Sequence, residues 1–387
     1  MRDAVLQRAW RGAVLGELVE NVNDYYDRNS SVVERYVAGE HIDEGSLAVR
    51  RWGVTTDDLF PPTFNRRFRS GDLLFHSRNL NKLVCPDFDG ITGEKLFVLR
   101  VRRSDLVLPA LLPFLLQTNH FVEYVSRMWA GSTNKFLNQT PLMRYEFALP
   151  PLEEQRRIVE VLTAAHDHLL AATDLRRATR RLLQSLQKRY FIEAPEGVEL
   201  AIGEFADVRN GTTPRRNRQD YWGGQVPWLP TGKVNERRIG SADEFITEKA
   251  LDECSLSIIP RGATLVAMVG EGQTRGRAAF LETDACINQN FGAVVPNATV
   301  DPAFVFFLLE SQYEALRHWS QGTNQHALNC SLIRSFRVRM PGLERQRELA
   351  RLLTEVDSAA EHAAGRASEA RVLFNMISGR ALGVKAA

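Results

Sequence analysis

Two long stretches of the chain place apolar or small residues at alternating steps of four and three. In the first stretch these are Ile158, Leu162, Ala165, Leu169, Ala172, Thr179, Leu183, Leu186 and Tyr190, with one seven-residue gap. The second stretch gives Leu349, Leu353, Val356, Ala360, Ala363, Ala370, Phe374, Ile377 and Ala381, each 191 residues further on. A 3.5-residue period marks helices that wind around one another, and small Ala residues let two such helices approach closely. At ~1.5 Å per residue, about 35 residues make a rod of roughly 50 Å. Two amphipathic helices, each packed on its own domain, are the alternative; registration of both seams at one offset favours their pairing. Pro150-Pro151 and Pro341-Gly342 precede the helices, and Glu153-Glu154 and Glu344 put negative charge in a first turn, where the helix dipole favours it.

The rest of the chain reads as mixed α/β. Leu73–His76, 95–101, 264–269 and 293–295 are strand-like runs, punctuated by Gly, Pro, Asn and Asp. Helical stretches at 111–128 and 302–319 follow, then a polar loop, then short strands at 145–149 and 336–340. These parts repeat too. The 191-residue shift sets Gly131-Ser-Thr-Asn-Lys-Phe-Leu-Asn on Gly322-Thr-Asn-Gln-His-Ala-Leu-Asn, and between 131 and 163 ten of thirty-three positions are identical. Gly71-Asp-Leu-Leu-Phe falls on Gly262-Ala-Thr-Leu-Val, and Leu15-Gly-Glu-Leu lies beside Ile202-Gly-Glu-Phe at a slightly different offset. The expected organisation is a globular part over 1–150, a helical spacer over 151–193, a second globular part over 194–341 and a second spacer over 342–387.

Composition supports this picture. The chain has 387 residues, 44% hydrophobic and 25% charged, enough for two or three real cores. No apolar run approaches the 18 or so residues of a membrane span, and the charged N-terminus predicts no secretory signal. Cys85, Cys254, Cys286 and Cys330 lie far apart without a C-x-x-C, which argues for a reducing, cytoplasmic setting. Net charge is only +2, yet residues 50–103 hold eleven Lys/Arg against six Asp/Glu, and 205–240 hold seven against three. Local basic excess inside a neutral chain suits a polyanion, although solvated loops look the same.

Catalytic patterns fail one by one. Phe60-Pro-Pro-Thr63 and Leu149-Pro-Pro-Leu152 lack the polar first and aromatic last residues of an adenine methyltransferase signature. The glycines of Gly270–Gly276 are wrongly spaced for a dinucleotide loop, and Gly232-Lys233 is followed by Val234 rather than the Ser/Thr of a P-loop. Pro86-Asp-Phe-Asp89 lacks the acidic-x-Lys of a nuclease, because Glu94-Lys95 has no spacer. His166 and His168, two apart on a helix, face different directions and are expected in solvent with Asp167. His41, His120, His318 and His362 have no paired ligands nearby, so no metal site and no enzyme are expected.

The alternating plan, with Ala148-Leu-Pro-Pro-Leu-Glu-Glu-Gln-Arg-Arg-Ile-Val at its first domain-to-helix junction, resembles the specificity subunit of type I restriction-modification systems. Gly211-Thr-Thr-Pro, Tyr221-Trp-Gly-Gly and Val226-Pro-Trp-Leu look like the opening of one of that family's target recognition domains. The second junction departs, reading Met-Pro-Gly-Leu-Glu-Arg-Gln-Arg, with Arg345 where Glu154 stood. The resemblance implies two mixed α/β target recognition domains separated by two long helices in an antiparallel coiled coil, with an internal pseudo-two-fold repeat. It implies a non-catalytic subunit binding a bipartite double-stranded DNA target, one recognition domain per half-site. Partners would be methyltransferase subunits and, in the larger complex, a restriction motor and nuclease; no membrane is implied. The chain would hold no cofactor of its own, S-adenosylmethionine, ATP and Mg belonging to those partners. A recognition subunit of another phage-defence methylation system, or a coiled-coil scaffold without a nucleic-acid role, are the alternatives.

DNA contact calls for Lys/Arg, hydroxyls and amides on loops of a rigid sheet. In the first part the candidates are Arg66, Arg67 and Arg69, then Ser77, Arg78, Asn79, Asn81 and Lys82, then Thr133, Asn134 and Lys135. In the second they are Thr212, Thr213, Arg215, Arg216, Thr231 and Lys233, then Gln273, Thr274 and Arg275, then Asn324, Gln325 and His326. Asn138 and Asn329 recur in both copies, as do Gln155 and Gln346, and are expected to be structural. Two readers of different sequences need not share their reading residues. Tyr221, Trp222 and Trp228 are expected in the core.

Overall fold

The computed structural model describes residues 10–27, 32, 34–58, 60–131, 135–270, 272–319 and 327–383. The chain divides into two compact units, 1–175 with 364–387, and 176–363. Each unit therefore holds a globular part together with one stretch of each long helix.

In the first unit the strands are β1 (Arg11–Val14), β2 (Val19–Asn21), β3 (Arg35–Val37), β4 (Gly53–Val54), β5 (Arg66–Phe68), β6 (Leu73–His76), β7 (Leu83–Val84), β8 (Gly90–Thr92), β9 (Leu96–Val101) and β10 (Glu146–Leu149). One sheet runs β2-β9-β6-β7, a second β4-β3-β8-β5, and β1 pairs with β10. The second unit holds β11 (Val198–Ala201), β12 (Ala206–Arg209), β13 (Trp222–Leu229), β14 (Arg238–Ile239), β15 (Glu244–Ile246), β16 (Thr264–Ala267), β17 (Ala278–Leu281), β18 (Cys286–Ile287), β19 (Phe291–Pro296) and β20 (Arg337–Met340). Its sheets run β12-β19-β16-β17-β14 and β15-β13-β18, with β11 on β20.

The repeat is thus structural. β2-β9-β6-β7 matches β12-β19-β16-β17, and the parallel pair β3–β8 matches β13–β18. Gly71 and Gly262, at φ +85° and +89°, make the same turn before β6 and β16, a conformation open to glycine without a Cβ penalty. Leu15–Leu18 and Ile202–Phe205 each form one helical turn after β1 and β11.

The helical stretch expected over 111–128 is broken in two. Leu112–Leu115 ends at Leu116, and Thr118, whose hydroxyl accepts from the Phe121 N–H at 3.2 Å, caps a new helix Asn119–Ser126. The stretch expected over 302–319 divides at Gln312 into Pro302–Ser311 and Tyr313–Trp319, the first capped by Asp301.

The long helices run Leu152–Lys188 and Leu343–Ala381. In the first unit Ile158, Leu162, Leu169 and Ala172 share a core with Ala367, Ala370 and Phe374; in the second, Leu183 shares one with Leu349, Ala350 and Leu353. The start of each helix meets the end of the other, so the pair is antiparallel. Every seam residue is buried or half-buried. Among the described residues no helix is long and apolar enough to cross a membrane.

His166 corrects the expectation of a solvated side chain. It is 5% exposed, its Nε2 donates to the Gly45 carbonyl at 2.9 Å, and its ring meets Phe114 and Phe374 edge-on. The repeat-equivalent position in the second helix, 191 residues on, is Asp357, 1% exposed and bound to Arg237 and Arg238. One helix position therefore ties each helix to its neighbouring globular part, by a single hydrogen bond in one unit and an ion network in the other.

Candidate nucleic-acid interface

In the first unit the β6–β7 connection is built on its own backbone. The His76 N–H donates to the Lys82 carbonyl at 3.0 Å, and His76 Nδ1 accepts from the Arg78 N–H at 3.0 Å. Burial first, then the charges of Lys82, Lys95 and Arg78, push the His76 pKa below its ordinary value. Asn79 holds the turn, accepting from the Asn81 N–H and donating to Glu44 at 2.7 Å, while Lys82 Nζ donates to the Gly39 carbonyl at 2.6 Å. Ser77 is buried, and its carbonyl accepts from the Leu137 N–H at 2.7 Å, tying the loop that follows Gly131 to this one. Arg78 and Asn81 point outward, and Lys135 is exposed nearby in sequence to that tie.

The basic cluster on β5 divides in the same way. Arg67 makes a two-pronged pair with Glu34 at 2.7 and 2.9 Å, and Arg66 donates to the Leu96 carbonyl and to Asn23. Arg69 is exposed, and no ion pair reaches it among the described residues.

In the second unit Gly211 lets the chain pass against β18. A Cβ built there would lie 1.7 Å from the Ile287 carbonyl oxygen, inside any tolerable contact. The following loop is pinned: the Trp228 indole donates to the Thr212 carbonyl at 3.0 Å, and the Thr213 hydroxyl to Gln289 at 2.6 Å. Arg216 lies over the rings of Trp222 and Trp228, 4.0 and 4.9 Å from their centroids, and pairs with Glu244. Tyr221 and Trp228 are core, as expected, whereas Trp222 is half-buried beneath that guanidinium. Arg215 is exposed beside it. Thr231 donates to Asn288 at 2.8 Å. Gln273 accepts from Arg277 at 3.1 Å, and Thr274 and Arg275 are half-buried.

Ser77 and Lys233 correct the candidate set, since both are buried. Lys233 is 7% exposed and bound to Glu236 at 2.6 Å and Asp243 at 3.0 Å, which raise its pKa. Arg66, Arg67, Lys82 and Arg216 have protein partners that a DNA strand would have to replace. Thr133, Asn134, Asn324, Gln325 and His326 lie outside the described residues. The geometry leaves Arg69, Arg78, Asn81 and Lys135 in one unit, and Thr212 and Arg215 in the other, as exposed polar groups on braced loops. Arg277 was missed, although it follows Gly276 directly in the same loop. Its guanidinium is held by Asn235 at 2.7 Å and by Gln273, both neutral.

A family model for the type I restriction modification DNA specificity domain matches the chain twice, over residues 72–175 and 195–369. The chain belongs to this specificity family. Among its relatives, the specificity subunit of the type I restriction enzyme MjaIX of Methanocaldococcus jannaschii is 29% identical over 166 residues, 42% of this chain and 38% of the relative. The EcoR124I/EcoR124II specificity subunit of Escherichia coli is 22% identical over 163 residues, 41% and 40% of the two chains. The chain thus spans about two fifths of the length of these curated relatives. The type I restriction-modification S subunit from M. genitalium superposes with a TM-score of 0.63 at 11% identity over 96% of both chains, a likeness of fold. A chain from a type I R-M system studied for complex assembly and conformational transition gives 0.52 at 19% identity, over 96% of this chain and 97% of that one.

The specificity-family junction motif has a physical basis here. The fully buried Gln155 amide accepts from the Leu108 N–H at 2.8 Å and donates to the carbonyls of Leu106 at 2.7 Å and Pro150 at 2.8 Å. Gln346 repeats the device, accepting from the Asp301 N–H at 2.9 Å and donating to the Pro341 carbonyl at 2.8 Å. Both glutamines are structural, as expected. Asn329 caps its helix through the Leu332 N–H at 2.9 Å, whereas Asn138 makes no such side-chain bond. The departure at Arg345 has its own partner: the guanidinium pairs with Glu196 at 2.9 Å and Glu348 at 3.1 Å.

The glycine of the Gly-Thr-Thr-Pro motif yields a direct test. Gly211→Ala is expected to cost about 3 kcal/mol, because the carbonyl it would strike belongs to a sheet rather than a flexible side chain. An unchanged urea midpoint for the 387-residue chain would show that the loop has room to move.

Proposed function

We propose that the chain is a non-catalytic DNA-recognition subunit whose two globular parts each read one half of a split double-stranded target. The observation that carries this reading is the duplicated sheet plan with unlike loops: the β6–β7 connection presents Arg78 and Asn81 in one copy, and the matching β16–β17 connection presents Gln273 in the other. A common frame with divergent polar edges suits two different base sequences. Methylation, and cleavage where it occurs, would belong to partner subunits, which would also hold S-adenosylmethionine, ATP and Mg.

A methyltransferase partner is supported by apolar residues left exposed on the long helices. Val161 and Leu182 of the first helix are each 50% exposed, and their equivalents 191 residues on, Leu352 and Leu373, are 36% and 48% exposed. Apolar side chains repeated at the same helix positions, outside the seam, suit docking of one kind of protein on both helices.

The deciding experiment is co-expression with the methyltransferase subunit of the same genome, followed by mapping of methylated adenines. Two short defined blocks around a fixed spacer are expected. A complex that methylates a continuous site would overturn the two-reader reading, and a chain that binds neither partner nor DNA would leave only the scaffold. Arg78→Ala and Arg215→Ala are each expected to weaken DNA binding by about 1–3 kcal/mol if they meet base edges, with the melting temperature unchanged. Lys233→Ala should instead lower the melting temperature.

A further inference from the structure

The second unit contains a cleft of about 860 Å³ that the reading above does not use. The first long helix forms one wall with Arg180, Gln184 and Lys188; Asn235, Gln273 and Arg277 come from the strand connections opposite. Tyr313, Glu314 and Arg317 complete it from the helix Tyr313–Trp319.

Some of its charges are matched by ion pairs. Lys188 pairs with Glu193 at 2.6 Å, and Arg237 pairs with Glu310 and Asp357. Arg317 donates to the Tyr313 hydroxyl at 3.4 Å, and Glu314 adds an exposed carboxylate. Two cations differ. Arg277 is fixed by Asn235 and Gln273, amide oxygens that orient the guanidinium without neutralising it. Arg180 is exposed, and no ion pair reaches it among the described residues. A guanidinium held by neutral acceptors, in a cleft that a second arginine also lines, is an arrangement that an anion completes.

The repeat adds an independent observation. Residues 176–181 of the first helix read Arg-Arg-Ala-Thr-Arg-Arg, and the equivalents 191 residues on read Ala-Ser-Glu-Ala-Arg-Val. Within this stretch the position of Arg180 is the one that carries arginine in both copies. Its counterpart, Arg371, is exposed in the first unit, where its guanidinium lies within 4 Å of a Cβ built on Gly45.

We propose that Arg180 and Arg277 hold a backbone phosphate of the bound DNA, so that the long helix is itself part of the DNA-binding surface. This rests on the DNA-recognition reading, and Gln273, one of the candidate readers, is the residue that orients Arg277. A free nucleotide offers the same phosphate chemistry; a phosphodiester beside a reading loop is the source favoured here.

The test is DNA binding by the 387-residue chain across a salt series, with Arg180→Gln, Arg277→Gln and Arg180→Lys. Each glutamine variant should lower the slope of log affinity against log salt by about 0.9, equally for target and unrelated DNA, and Arg180→Lys should keep the slope. Unchanged slopes in both glutamine variants, with a steep wild-type slope, would overturn the proposal alone. A flat wild-type slope would remove the DNA reading on which it rests. Displacement of DNA by millimolar nucleoside triphosphate in wild type but not in the variants would place a free nucleotide in the cleft instead.

Discussion

Asp357→Leu is expected to destabilise the 176–363 unit by about 3–5 kcal/mol, the cost of stripping a buried charge cluster of one partner. Asp357 is 1% exposed and accepts from two arginines at once, from Arg237 and, at 3.0 Å, from Arg238. Arg237 is 14% exposed and cannot turn to water, because Glu310 holds its other edge, with Gln187 donating to that carboxylate at 2.7 Å. Its backbone stands at φ +65°, a left-handed value unusual outside glycine, so the network also holds a strained residue in place. The ion pairs keep the guanidinium charged, its pKa raised against the opposing pull of burial. Leucine would leave two cations facing an apolar helix surface. Urea unfolding would report the loss as a lower midpoint for this unit, and adding Arg237→Met, Arg238→Met and Glu310→Gln, which remove the cations and the carboxylate they would strand, should restore much of it. A midpoint within the error of wild type would mean that water already screens the cluster. At the equivalent position, His166→Ala should cost less, since it removes one hydrogen bond and some ring packing but strands no charge.

That pair of positions also shows where reading from sequence stops. The helix seams are legible because their apolar spacing is a property of the helix alone, and all eighteen positions named from it are buried or half-buried. His166 sits one residue beyond the seam residue Ala165, and its burial is decided by Phe114 and Phe374, roughly 50 and 200 residues away in the chain. No local pattern announces such neighbours. Two of the candidate contact residues are taken up by the protein itself for the same reason. Lys82 and Lys233 have the residue type that phosphate wants, but one is held by Gly39, 43 residues back, and the other by Glu236 and Asp243. Glu236, at three residues' distance on a helical turn, was the only one of these partners that spacing could have suggested. Gln155 and Gln346 were understood correctly because recurrence in two copies with different tasks is itself information.

Gln155→Leu is expected to cost about 3 kcal/mol, more than Gln346→Leu, because it leaves more backbone groups without a partner. The Gln155 amide reaches three: the Leu108 N–H, the Leu106 carbonyl and the Pro150 carbonyl, at 2.7–2.8 Å, from a side chain that is fully buried. Pro150 is where β10 ends, and Leu106 and Leu108 lead into the Leu112–Leu115 helix, so one amide clamps strand, loop and helix start together. Leucine has nearly the same volume, so packing is conserved and the lost hydrogen bonds are isolated. Gln346 makes two of the corresponding bonds, to Asp301 and Pro341. The expected order in a denaturant series is therefore wild type, then Gln346→Leu, then Gln155→Leu. Glutamate at 155 should be worse than leucine at neutral pH, since its second oxygen would face two carbonyls that need a donor, and it should recover as acid protonates it. An equal loss at both junctions would mean that the third bond contributes nothing. No loss at either would make the shared glutamine a feature of assembly with partners rather than of folding.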